Sequence, residues 1–79
     1  MQPVGVHHVS INVSDPARSI EFYTEVLGAR PREDRPDFGI GGAWLDMGTT
    51  QVHLIEAPVP PAQGQHFAVL VDDLDAAVD

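Results

Sequence analysis

Three histidines carry most of the chemistry this sequence can offer. His8, His53 and His66 each fall inside, or at the start of, a stretch patterned as a β-strand. A neutral imidazole is a ligand for borderline divalent cations, and two or three of them converging with an oxygen donor make a common site for Zn, Ni, Co or Fe(II). No tight His-x-x-x-His pair is present, so convergence has to come from the fold. Without a metal, the same residues read as one His satisfying a strand-end hydrogen bond and two exposed ones. Ser10 and Asn12 share the His8 face, which is polar yet uncharged and suits a lined cleft. Trp44 and Phe38 are either core and loop packing or the walls of an apolar pocket. His7, one residue from His8, falls on the opposite face and reads as structural or exposed.

The elements that must position these residues follow in order. Residues 4–13 alternate as a strand, with Val9, Ile11 and Val13 on one face and Val6, His8, Ser10 and Asn12 on the other. Ser14-Asp15-Pro16 is a helix start, with Asp15 as N-cap and Pro16 at the first helical position. Ala17, Ile20, Tyr23 and Leu27 recur at helical spacing and predict a helix over about residues 16–27, closed by Gly28. Pro31 and Pro36 restrict residues 29–35 to a short strand near an edge. A hairpin is expected from residues 43–47 and 51–56 around Gly48-Thr49-Thr50. Its alternation puts Gln51, His53 and Ile55 together and turns Glu56 away from His53.

A linker then leads into a repeat. His8-Val9-Ser10-Ile11-Asn12-Val13-Ser14-Asp15 returns as His66-Phe67-Ala68-Val69-Leu70-Val71-Asp72-Asp73, and Ile20 and Val78 match in the helical patterns that follow. If the copies pair about a pseudo-twofold, His8 and His66 meet and His53 joins from the hairpin. The expected class is α+β: a βαβββ module over residues 1–57, with a mixed curved sheet and a helix on one face, then a linker over 58–64. Residues 65–79 are the opening strand and helix of a second module, which looks cut off.

Composition bounds the rest. A chain of 79 residues is one small domain with a modest core. The net charge of −8, with four Arg and no Lys, argues against nucleic-acid binding. With no Cys, disulfides and thiolate metal sites are excluded. No apolar run is long enough for a membrane span, and Met1-Gln2-Pro3 is no signal peptide, so a soluble cytoplasmic protein is expected.

The run His8 to Asp15, followed by Pro16-Ala17-Arg18-Ser19-Ile20-Glu21-Phe22-Tyr23-Thr24-Glu25-Val26-Leu27-Gly28, resembles the opening module of the vicinal oxygen chelate superfamily. That superfamily includes glyoxalase I, bleomycin-resistance proteins, methylmalonyl-CoA epimerase and extradiol dioxygenases. Gly42-Ala43-Trp44-Leu45 and Val52-His53-Leu54-Ile55-Glu56 resemble the third and fourth strands of its glyoxalase-like members, and Gly64-Gln65-His66 onward resembles the first strand of the second module. The resemblance implies metal ligands at His8, His53 and His66, with the metal holding two adjacent substrate oxygens and stabilising an enediolate or similar anion. A Glu late in the second module, the family's usual fourth ligand and often its base, would fall beyond Asp79. The missing wall then comes from a longer protein or from a second chain, with a homodimer as the expected assembly.

Three functions stay open at this point. One is a divalent-metal-dependent isomerase, lyase or dioxygenase acting on a small substrate with adjacent oxygens, its catalytic base unassigned. Another is a metal-free, resistance-type binding protein that holds a small ligand against Trp44 and the Ser10/Asn12 face. The last is an inactive remnant of the fold.

Overall fold

Asp15 sets the first junction of the structure, a computed structural model that describes residues 1–72. Its carboxylate accepts a hydrogen bond from the Arg18 N–H at 3.2 Å, and Pro16 follows where no donor is needed. The helix α1 starts there and runs over Pro16–Glu21, then widens into a π turn over Phe22–Val26. Thr24 supplies a physical reason for the widening. Its hydroxyl donates to the Ile20 carbonyl at 2.8 Å and competes with the backbone ladder. Gly28, at φ 73°, closes the helix in the left-handed region, and the Ala29 N–H returns to the Tyr23 carbonyl at 2.9 Å. The expected helix over 16–27 is therefore one continuous piece whose second half is π rather than α.

Among the described residues, four strands form one mixed sheet in the order β1-β4-β3-β2. They are β1 (His8–Val13), β2 (Arg30–Pro31), β3 (Gly42–Met47) and β4 (Thr50–Glu56). β1 runs parallel to β4, with Ser10 beside His53 and Ile11 beside Leu54. β3 and β4 form the expected hairpin, Trp44 opposite His53 and Leu45 opposite Val52. β2 has two residues, because Pro31 has no N–H to extend the ladder. The first strand starts at His8 rather than at residue 4, since β4 offers partners only from Gln51 onward.

This register sorts the faces. Val13, Leu45, Val52 and Leu54 are buried with Ala29, and Ile20 and Tyr23 of the helix pack on them. That is the apolar face expected from alternation. His8, Ser10, His53 and Trp44 share the other face, which carries no helix among the described residues.

Residues 66–71 form no strand. A strand needs a neighbour for its N–H and C=O groups, and this stretch pairs with none of the described strands, β1 included, whose outer edge stays unpaired among the described residues. Phe67 and Val69 lie near the apolar residues of β1 instead. The helix expected after Asp73 lies outside the described residues.

Candidate functional site

His53 is the centre of the open face. β4 is the inner strand between β1 and β3, so its side chain is covered on both flanks and only 7% exposed. The His8 ring stacks on one side at 4.1 Å between centroids and the Trp44 ring on the other at 4.3 Å, both within 10° of parallel. Three rings from three strands thus form a single pile. Backbone register sets Trp44 directly opposite His53, whereas His8 pairs with Gln51 and its ring reaches His53 diagonally across the two strands.

His53 Nε2 lies 2.8 Å from Gln51 Oε1. With the amide oxygen facing the ring, Nε2 carries the hydrogen and Nδ1 holds the free lone pair. Burial pushes the His53 pKa below its ordinary 6.5, and positive charge on His8, His7 and Arg32 pushes the same way. The neutral, lone-pair-bearing form is therefore the stable one. His8 is exposed, and its Nδ1 is 2.8 Å from His7 Nδ1, so the two adjacent rings meet rather than diverge.

This arrangement has a consequence for stability. The unfolded chain takes up a proton at His53 near pH 6.5, while the folded chain resists until lower pH. The folded pKa is depressed, so stability should fall as pH drops through that interval and be fully present above it. Urea unfolding in chelator should show a lower midpoint at pH 5.5 than at pH 7.5, with a smaller difference in His53→Gln. An equal pH dependence in the variant would contradict this reading.

A cavity of about 300 Å³ opens beside the ring pile, with Ser10, Arg35, Phe38, Trp44 and His53 in its wall. Phe38 stands 6.2 Å from Trp44. Ser10 thus sits on the face that alternation gives it, and Trp44 lies in the cavity wall rather than in the core. Asn12 shares the face, but its amide donates to the Pro58 carbonyl at 3.1 Å and ties down the linker. Arg35 was not legible as a wall residue, because it belongs to an irregular loop; its one sequence signal is that it is the last cation of the chain.

The structure brings His8 and His53 together but not His66. The His66 ring is 2.7 Å from the Gly64 carbonyl of its own loop. It lines a separate cavity of about 570 Å³ with Val9, Ile11, Tyr23, Leu27 and Phe67. Among the described residues, no three His, Asp or Glu side chains gather into a metal-ligand set. The donors present still fit a divalent ion in kind: two adjacent imidazoles, one held neutral by burial.

Comparison with known proteins gives a consistent picture. The model of the Glyoxalase/Bleomycin resistance protein/Dioxygenase superfamily matches residues 5–79. Metallothiol transferase FosB of Staphylococcus haemolyticus is 43% identical over 46 residues, 54% of this chain and 33% of that protein. Mitochondrial methylmalonyl-CoA epimerase of Mus musculus is 29% identical over 87 residues, 92% of this chain and 49% of the enzyme. The chain thus spans between a third and a half of these curated relatives. Among solved structures, a glyoxalase family protein from Bacillus anthracis superposes with a TM-score of 0.76 at 22% identity, covering 99% of this chain and 70% of that one. Lactoylglutathione lyase from Agrobacterium tumefaciens gives 0.58 at 17% identity, covering 87% and 54%. At these identities the structural matches speak for the fold. No helix among the described residues is long and apolar enough to cross a membrane.

Proposed function

The chain belongs to the Glyoxalase/Bleomycin resistance protein/Dioxygenase superfamily, and from that membership we propose that it is a glyoxalase-like, divalent-metal-binding protein acting on a small substrate with two adjacent oxygens. The observation that carries the proposal is the placement of His8 and His53 side by side on the open face, next to a cavity. His8 and His53 hold the ion, and His66 is the third ligand once its strand is paired. A bound divalent ion supplies Lewis-acid polarisation of the substrate oxygens. The chain's own groups prepare the site: burial keeps His53 unprotonated, the Gln51 amide fixes its tautomer, and Trp44 shields one ring face from water.

Pairing of residues 66–71 requires a neighbouring strand edge, supplied by a second copy or by the rest of a longer protein. A homodimer that exchanges these segments satisfies the requirement with surfaces already present. In this reading residues 1–57 are the first module, 58–64 the linker and 65–79 the start of the second, in a cytoplasmic protein.

Calorimetric titration of Zn²⁺, Ni²⁺, Co²⁺ and anaerobic Fe²⁺ into protein of known oligomeric state tests the proposal. Binding with a defined stoichiometry is expected, weakened roughly 10- to 100-fold or more in His53→Ala. Binding unchanged by the substitution, or no binding, overturns the metal site. The ring pile and apolar cavity would then favour the metal-free ligand-binding alternative, in which small-molecule affinity is indifferent to chelator.

A further inference from the structure

Arg35 is the cation on the cavity wall, and the described contacts leave most of its hydrogen-bonding capacity unused. Its Nη2 donates to the Ile40 carbonyl at 3.0 Å, and its guanidinium carbon sits 5.2 Å from the Phe38 ring centroid. A guanidinium has five N–H donors in a planar fork, matched to a carboxylate. Arg32, three residues earlier, shows the satisfied case: it bridges Asp34 at 2.7 Å and Asp46 at 2.8 Å. The described ion pairs include none to Arg35. In a chain with twelve acidic residues and four cations, a guanidinium left without a carboxylate beside a cavity is a selective feature.

The surroundings define what the cation would meet. Phe38, Ile40, Trp44 and Ile55 make the cavity largely apolar, and 300 Å³ lies at the lower end of small-ligand sites. Gly42 leaves space for the guanidinium, since a Cβ there would stand 3.1 Å from Arg35 Nη2. Apolar walls would accept neutral and anionic ligands of the same shape alike. Long-range charge favours the neutral one, because the protein itself is strongly acidic. A local cation reverses that preference.

We infer that the cavity takes a small organic acid with an apolar or aromatic body, its carboxylate on Arg35 and its body against the wall that Phe38 and Trp44 form. This deepens the proposed function, resting on its reading of the open face as the ligand site, and adds the substrate's charge class.

The test uses phenylacetate and neutral phenylacetamide, titrated in the presence of EDTA into the full chain. Trp44, the sole tryptophan, reports occupancy by its fluorescence. Phenylacetate should bind at least roughly tenfold more tightly than the amide, the scale of one charge-assisted hydrogen bond. Arg35→Gln should abolish the preference while leaving amide binding in place, and Arg30→Gln, exposed on β2, should change neither. Equal affinities for the two probes, no binding of either, or a preference retained in Arg35→Gln overturns the inference. Because the chelator removes metal, failure of the metal titration leaves this result standing, and the reverse also holds.

Discussion

Leu45→Ala should lower the thermal unfolding midpoint by at least roughly 10 °C, or abolish the cooperative transition altogether. Leu45 is 0% exposed, in the strand between β4 and β2, and the described core has only four other buried apolar residues. Truncating a buried Leu to Ala costs about 2–5 kcal/mol, part of it transfer and part the cavity left behind. A domain of this length holds about 4–12 kcal/mol of stability, so the loss is a large fraction of the total. Val26→Ala is the comparison. Val26 is 45% exposed in the π turn, and its truncation should stay within about 0.5 kcal/mol. Circular dichroism melts of both variants decide the matter. Similar midpoints for the two would mean that the sheet's apolar face does not carry the fold.

The apolar face was readable in the sequence because period-two alternation is strict in β1 and holds in β4 from Gln51 until Ile55 breaks it, and alternation is a local property. Asp15, Pro16 and Gly28 were readable for a similar reason: caps act within a few residues. The π turn was not, because Thr24 could equally have pointed its hydroxyl to solvent, and only the finished helix shows it bonded to Ile20. At the candidate site, the company of His8, Ser10, His53 and Trp44 on one face follows from strand parity and pairing order. Their stacking does not, since ring orientation depends on side-chain torsions. Arg35 and Ile40 lie in a loop without periodicity, so nothing in their spacing places them at the cavity. His66 marks a different limit. Its resemblance to His8 is a sequence property, whereas strand formation there depends on pairing, and residues 66–71 pair with no described strand.

Gly42→Ala should destabilise the fold more than Gly48→Ala, although both glycines have positive φ. Gly48, at φ 61°, opens the two-residue turn between β3 and β4, where a first-position glycine suits a type II′ turn. A Cβ there meets nothing within 4 Å, so the substitution costs only backbone strain, about 1–2 kcal/mol. Gly42, at φ 153°, carries comparable strain, but its added Cβ would collide with the Leu54 backbone carbonyl. That oxygen belongs to the central strand and cannot yield without disturbing the ladder that seats His53 between His8 and Trp44. The expected result is a midpoint at least roughly 5 °C lower for Gly42→Ala than for Gly48→Ala. The same Cβ crowds Arg35, so any folded fraction of Gly42→Ala should also lose part of its preference for phenylacetate over the amide. Equal destabilisation by the two substitutions would show that the start of β3 can move away from β4, and that neither the ring pile nor the position of Arg35 depends on their close approach.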